Sequence, residues 1–100
     1  MAPKGYVIFT MDIHDHAGMD SYVQATRPTL FKAGGRPIVG DDSPEVIEGE
    51  WHGSRTVVLE FDSVDAARTW YRSPEYQAVA GQRHASSKSN VAIVGGFAMP

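Results

Sequence analysis

Thr56-Val-Val-Leu-Glu-Phe61 is followed directly by Asp62-Ser63-Val64, and this junction decides how the rest of the chain is interpreted. Val57, Leu59 and Phe61 lie on one face of the first stretch, the period-two alternation that is typical of a strand. The Asp-Ser pair supplies two residue types that cap helices, and an apolar stripe at helical spacing follows it. The junction therefore predicts a strand that passes straight into a helix.

Outward from this junction, the same two periods alternate along the chain. Strands are predicted at residues 6–11, 36–39, 45–48, 56–61 and 91–94, helical stripes at 19–33, 64–71 and 76–83, and polar loops at 12–18 and 86–89. Pro28 lies inside the first stripe and predicts a kink or two helical pieces. Ser73-Pro74-Glu75 restarts the second helix with a serine cap. The order β-α-β-β-α-β predicts an α+β, ferredoxin-like fold with a four-stranded antiparallel sheet.

Composition and charge exclude several classes of protein. One hundred residues, of which 42% are hydrophobic and 21% charged, predict one globular domain over residues 1–100. The net charge of −3 argues against a nucleic-acid partner. The chain has no cysteine, so a thiolate nucleophile and Cys-ligated zinc are excluded. We find no signal-peptide core and no apolar run that could span a bilayer, and we expect a cytoplasmic protein with no membrane partner.

One face of the predicted sheet carries apolar side chains that the helices do not cover. If Val7 and Phe9 face the helices, Tyr6, Ile8 and Val58 face away from them. An exposed apolar patch of this kind usually marks an interface. Pairing two such sheets in a two-fold symmetric arrangement would bury the patch, and we therefore expect a homodimer.

Several motifs resemble those of a known family. They are Gly34-Gly35-Arg36, EVIEGEW at residues 45–51, RTVVLEF at 55–61 and, most specifically, AARTWYRSPEYQ at 66–77. From Tyr6 to about Gly95 the chain resembles the DUF1330 family, small proteins of the dimeric α+β barrel superfamily. The resemblance implies the ferredoxin-like fold and a homodimer. Wider relatives include cofactor-free monooxygenases, muconolactone-type isomerases, polyketide cyclases and haem-binding proteins. The IHDH loop at residues 13–16 is richer in histidine than is usual for the family.

Glu60 interrupts an apolar strand and is the first candidate for chemistry. A buried carboxylate has to be paired or protonated. It could act as a general acid or base with a shifted pKa, or form a structural pair with Arg55, Arg36 or Arg83. If the first strand continues, Asp12 and His14 project to the same side, toward Glu60, and suit proton transfer.

Two other interpretations of the histidine loop stay open. His14 and His16 with a nearby acid could hold a divalent metal, or the loop could be solvated surface. No third ligand stands at a diagnostic spacing, so no metal and no cofactor is expected. A P-loop, a GxGxxG motif and a GxSxG motif are also absent, which argues against nucleotide-driven chemistry and hydride transfer.

Arginine and aromatic residues are the candidates for substrate binding. Arg36 and Arg83 could hold a carboxylate or carbonyl of a ligand, or pair with acids of the chain. Tyr22 and Tyr76 lie at helical spacing, as core tyrosines do, and could also line a pocket. Trp51 lies between two glycines and could line a pocket mouth or a dimer contact.

These residues lead to three functional hypotheses. The first is a small-molecule-binding protein with a pocket between helices and sheet, which could be a cofactor-independent isomerase, cyclase or lyase. Its chemistry would be proton transfer by His14 and Glu60, with Asp12 orienting His14. The second is a non-catalytic homodimer that binds a ligand or partner. The third is a cofactor-free monooxygenase.

Overall fold

The computed structural model describes residues 3–98, which form one four-stranded antiparallel sheet with three helices on one face. The elements are β1 (Gly5–Ile13), α1 (His16–Lys32), β2 (Arg36–Asp41), β3 (Arg55–Phe61), α2 (Val64–Arg72), α3 (Pro74–Ser86) and β4 (Ser87–Gly95). The strand order across the sheet is β2-β3-β1-β4, and every neighbouring pair is antiparallel. The predicted ferredoxin-like fold is confirmed.

The core lies between the helices and one face of the sheet. Val7, Phe9 and Met11 of β1 are 0–3% exposed and point toward the helices, as alternation requires. Trp70 of α2 is packed against Phe61 and Tyr76, with ring centroids 5.4 and 4.2 Å away. The aromatic residues of α2 and α3 therefore contribute much of the apolar area that drives folding.

Helix α1 buries the stripe that the sequence predicts. Met19, Tyr22, Thr26 and Leu30 are all buried, at the spacing of one helical face. Pro28 does not divide the helix, because the chain stays helical from His16–Lys32. The predicted division into two pieces is therefore wrong. Proline has no backbone N–H, so one carbonyl in the preceding turn of α1 lacks its hydrogen-bond donor. Pro28 lies on the exposed side of α1, where water can solvate that carbonyl.

Ser73 joins α2 to α3. Its backbone ends α2, and its hydroxyl donates to the Trp70 carbonyl at 2.7 Å and accepts from the Tyr76 amide at 3.1 Å. Pro74 then occupies the first position of α3, where its fixed φ suits a helix and no amide is needed. One residue thus caps both helices.

The predictions for residues 45–48 and 87–89 are wrong, both because strand pairing is a long-range property. Residues 45–48 form no strand, since β2 already occupies the free edge of β3 and leaves them no partner. Residues 87–89, predicted as loop, belong to β4, and Ser87 pairs with Ile13 at the far end of β1. Ser86 and Ser87 are buried rather than solvated surface.

The other face of the sheet has no helix on it. Tyr6, Ile8 and Val58 lie there and are half-buried within one chain, and Val94 of β4 is 38% exposed beside them. This open face, on the even-numbered side of β1, carries the apolar patch that the sequence predicts.

Candidate functional site

A cavity of about 520 Å³ lies between α1 and the sheet. Tyr22, Val23, Thr26, Arg27 and Leu30 form its α1 wall, and its other wall is lined by Phe9, Met11, Pro37, Ile38, Val39, Gly40, Asp42, Arg55, Val57 and Leu59. Most of these groups are apolar, and the volume is within the range of small-molecule sites. The pocket lies between helices and sheet, where the leading hypothesis expects it.

Strand β2 forms the outer edge of the cavity. A register shift between Pro37 and Val39 interrupts its pairing with β3. Ile38, at this irregular position, is 47% exposed while it lines the cavity. Proline has no amide to donate to the ladder, which is why it is tolerated at an edge strand or bulge. The bulge therefore leaves an open, apolar rim on this side.

Charged groups line the cavity in addition to this apolar surface. Arg55 Nε donates to Asp42 Oδ1 at 2.5 Å, so this guanidinium already has an acidic partner. Arg27 of α1 also lines the cavity and forms none of the ion pairs found among residues 3–98. The cavity thus combines apolar walls with a small number of charged groups.

Three of the five predicted substrate-binding residues meet behind the α1 wall. The Tyr22 and Tyr76 hydroxyls are 2.7 Å apart, and Arg83 Nε donates to the Tyr76 hydroxyl at 3.3 Å. Tyr22, Tyr76 and Arg83 are 5%, 0% and 2% exposed. Burial raises the pKa of Tyr22 and of Tyr76, so both hydroxyls stay protonated near neutral pH.

Arg83 is a buried cation with no carboxylate partner in the part of the chain that the structure describes. Its guanidinium lies 5.3 Å from the centroid of the Phe9 ring and 6.0 Å from that of Tyr22, and Nη2 donates to His84 Nε2 at 3.2 Å. Burial acts to lower the pKa of Arg83, but Tyr76 and Tyr22 outweigh it, and the net shift is upward. The guanidinium therefore keeps its charge and is stabilised by aromatic faces.

Glu60 and Arg36 form an ion pair on the open face of the sheet, away from the cavity. Burial acts to raise the pKa of Glu60, but hydrogen bonds from Arg36 and Tyr6 outweigh it and hold the pKa below its ordinary value. This geometry matches the structural-pair alternative, with Arg36 as the partner. A carboxylate held ionised in this way is a poor general acid.

The structure does not bring His14 to Glu60. Glu60 is paired with Tyr6, whereas Asp12 lies six residues further along β1, about 20 Å away at the rise of a strand. Asp12, His14 and His16 are exposed. The expected proximity is wrong within one chain, because the strand that places Asp12 and Glu60 on one face also separates them along its length. What these residues do in a dimer stays a prediction.

Trp51 lies outside the cavity. Its indole Nε1 donates to Thr56 Oγ1 at 2.9 Å, which holds it at the open face, and 51% of the residue is exposed. The segment then approaches β1 so closely that Gly53, at φ 75°, leaves no room for a Cβ against the Met11 carbonyl. Trp51 is therefore exposed on the open face and is not part of the cavity wall.

Thr26 is a site residue that the sequence interpretation missed. It is 8% exposed and lines the cavity, and its Oγ1 lies near the Tyr22 hydroxyl without a hydrogen bond of good geometry. A polar residue at a core position of the α1 stripe was the available signal. Buried hydroxyls almost always have a hydrogen-bond partner, so Thr26 Oγ1 is an exception among the buried side chains of residues 3–98.

Within residues 3–98, no three or more His, Asp or Glu side chains come together as a metal site would require. No helix in this part of the chain has the length and apolar character needed to cross a membrane.

Known proteins resemble the chain in sequence profile and in fold. Residues 4–97 match a family described as a domain of unknown function, DUF1330. No curated protein sequence matches significantly. A protein of unknown function from Rhodopseudomonas palustris superposes with a TM-score of 0.79 at 14% identity, covering 97% of this chain and 85% of its own.

Two further solved structures share the fold. SnoaB from Streptomyces nogalater, a cofactor-independent oxygenase, has a TM-score of 0.71 at 17% identity, with 98% and 97% of the two chains covered. A dimeric ferredoxin-like protein of unknown function from Jannaschia sp. CCS1 has a TM-score of 0.68 at 15% identity, with 91% and 97% covered. At these identities the similarity establishes the fold alone.

Proposed function

The chain belongs to the DUF1330 family, and on that premise we propose that it is a homodimeric protein that binds a small, largely apolar molecule in the cavity beside α1. The observation that carries the proposal is the cavity itself. It has about 520 Å³ of space, apolar walls and a small number of charged groups, which is the usual composition of a ligand site.

The homodimer is supported by the open face and by the relatives. Tyr6, Ile8 and Val58 form an apolar surface on the side of the sheet opposite the helices. The Jannaschia protein, which has the same fold, is described as dimeric. A second copy of this chain stacked on the open face would bury that surface and leave the cavity, on the other side of the sheet, accessible.

The chemistry that we propose for the cavity is cofactor-independent proton transfer next to a carbonyl, in which the Asp42 carboxylate that lines the cavity accepts the α-proton and an enolate forms. The Tyr22 hydroxyl is connected to Tyr76 and to the Arg83 cation, so a negative charge that develops on a ligand oxygen would be stabilised there. Incubation of a bound carbonyl compound in D₂O tests this step directly. Protein-dependent exchange of its α-hydrogens supports an enzyme, and binding without exchange supports the non-catalytic alternative.

Cofactor-independent oxygenation is the second candidate. SnoaB, described as a cofactor-independent oxygenase, covers nearly the whole chain in its superposition. An oxygenase would consume O₂ with an electron-rich phenol, whereas a proton-transfer enzyme would not. An oxygen electrode therefore separates the two reactions.

Binding in the cavity is tested with two matched variants. Val57 and Val91 are both half-buried valines on the helix side of the sheet, and only Val57 lines the cavity. We expect small aromatic carbonyl compounds to shift amide signals of α1, β2 and β3 in ¹⁵N NMR spectra. Val57→Phe should weaken this binding at least about tenfold by filling the space, and Val91→Phe should not. Equal effects of the two variants, or no shifts at millimolar concentration, would contradict the proposal.

A further inference from the structure

The two hydrogen bonds that connect Arg83, Tyr76 and Tyr22 behind the cavity have a definite donor and acceptor. Arginine carries only donors, so the Tyr76 oxygen accepts the hydrogen bond from Arg83 Nε. Tyr76 is fully buried, and among residues 3–98 the one acceptor for its own proton is the Tyr22 oxygen at 2.7 Å. The opposite direction would leave the Tyr76 proton buried without a partner, which costs about 1–3 kcal/mol. Arg83 therefore donates to Tyr76, and Tyr76 donates to Tyr22.

This direction leaves the proton of Tyr22 without an acceptor. Thr26 Oγ1 lies near the Tyr22 hydroxyl, and it makes no hydrogen bond in the part of the chain that the structure describes. Tyr22 and Thr26 are four residues apart, so they share one face of α1, and both line the cavity. The α1 wall thus carries the Tyr22 hydroxyl, whose oxygen accepts from Tyr76 while its proton has no acceptor among residues 3–98, and the Thr26 hydroxyl, which has no partner among them.

The charge behind this wall favours a particular kind of acceptor. Arg83 is 2% exposed, and none of the ion pairs among residues 3–98 includes it. A buried cation without a carboxylate lowers the energy of a negative charge placed nearby, more strongly than it would in water. Donors that point from such a cation toward a cavity form a site for an oxyanion.

We propose, building on the cavity as the ligand site, that the ligand carries an ionisable oxygen of the enolate, phenolate or carboxylate type. Tyr22 and Thr26 bind this oxygen by hydrogen bonds, and Arg83 stabilises its negative charge through Tyr76. Tyr22 and Thr26 touch the ligand, whereas Tyr76 and Arg83 are positioning residues. The apolar walls bind the rest of the molecule, so an aromatic or alicyclic body with one acidic oxygen is the class that fits.

Two probes of nearly the same shape test the proposal. 4-Nitrophenol ionises to a yellow phenolate, and 4-nitrotoluene has a methyl group in place of the hydroxyl. The affinity of each for the ¹⁵N-labelled protein is measured by NMR, and the ionisation of bound 4-nitrophenol is followed by absorbance. We expect the protein to prefer the phenolate, so that the ionisation midpoint of the bound probe falls by about one pH unit, a tenfold preference.

Variants assign that shift to the proposed residues. Tyr22→Phe and Tyr76→Phe should each remove most of it while 4-nitrotoluene affinity changes less than about twofold. Arg83→Lys keeps the charge and should retain part of the shift, which Arg83→Met should lose. Tyr71→Phe is the matched control, since that ring packs against Tyr76 at 5.3 Å without a hydrogen bond between the two side chains.

Other charged groups near the cavity define the outcomes that would overturn the inference. Arg27, Arg55 and Asp42 are charged groups that line the cavity, and His84 is the titratable group that accepts a hydrogen bond from Arg83. A shift that survives Tyr22→Phe would belong to the first two and would refute the assignment. Equal binding of both probes with no shift would refute the oxyanion site and leave the cavity proposal standing. Binding of neither probe would refute both.

Discussion

Replacing Thr26 with valine should make the free protein more stable. Valine has nearly the shape of threonine, and its helix propensity is similar, so the main change is the loss of Oγ1. This oxygen is buried in a residue only 8% exposed and has no hydrogen bond to any group of residues 3–98. Burying an unpaired hydroxyl costs about 1–3 kcal/mol in proteins. Taking the lower end, because a cavity beside the group can hold water, we expect a gain of about 1 kcal/mol, or a rise in Tm of about 4–8 °C.

Thr29 provides a control on the same helix, with the same substitution and the opposite sign. Its Oγ1 donates to the Thr26 carbonyl at 2.7 Å and accepts from Trp70 Nε1 at 3.0 Å. Thr29→Val leaves the indole N–H of Trp70, a residue 1% exposed, without its acceptor. We expect a loss of about 1–3 kcal/mol.

Thermal unfolding of both variants and the parent protein checks this pair of predictions. All samples need the same protein concentration, because the apparent stability of a dimer depends on it. A lower Tm for Thr26→Val would refute the reasoning. It would mean that Oγ1 has a partner in the free protein, most directly the Tyr22 hydroxyl, and the argument for a ligand oxygen at that position would be lost.

Three other predictions follow from the open face and the loops. Glu60→Gln should destabilise the protein near neutral pH. Because the folded-state pKa of Glu60 is lowered, the difference in unfolding free energy between the two proteins should shrink as the pH falls below about 4.3 and through that pKa. A denaturation series in which this difference stays constant with pH would contradict the prediction. Ile8→Lys, on the open face, should give a monomer mass in light scattering, whereas the control Gln24→Lys, on the exposed side of α1, should give a dimer mass. If both variants gave a dimer mass, the open face would be excluded as the interface. Gly53→Ala should destabilise the protein more than Gly34→Ala, since both glycines have φ 75° but only at Gly53 would a Cβ collide with backbone atoms of Met11. Equal unfolding midpoints for the two variants would show that Gly53 does not lie this close to β1 in solution.

The fold was predictable because its strongest signals are local. The alternation of Val57, Leu59 and Phe61 and the helical stripe from Met19 to Leu30 depend on neighbouring residues only, and both are confirmed. Residues 45–48 and 87–89 show the limit. The first have a strand-like pattern but no partner, and the second are polar but pair with β1. Pairing depends on which strand edges are free, and no local pattern contains that information.

The candidate site was predictable only in part, for the same physical reason. Tyr22, Tyr76 and Arg83 were each candidates because of their residue types, but their contact depends on how α1 packs against α3. Thr26 was missed since an unpaired hydroxyl is visible only when its surroundings are known. Glu60 was correctly recognised as a carboxylate in an apolar strand, and only the sheet register identifies Arg36 as its partner.

The serine that joins α2 to α3 makes the contacts of Arg83 with the Phe9 and Tyr22 rings sensitive to the tilt of α3. At 1.5 Å of rise per residue, Tyr76 is about 4.5 Å along the axis of α3 from Ser73, and Arg83 about 15 Å. A tilt of about 10° at this pivot would displace the two residues relative to α1 and the sheet by about 0.8 and 2.6 Å, and only the first displacement is small enough for a hydrogen bond to survive by adjustment. A substitution at Ser73, remote from the cavity, would therefore move the Arg83 guanidinium away from the Phe9 and Tyr22 rings, while the Tyr22–Tyr76 hydrogen bond and the bond from Arg83 to Tyr76 within α3 both remain.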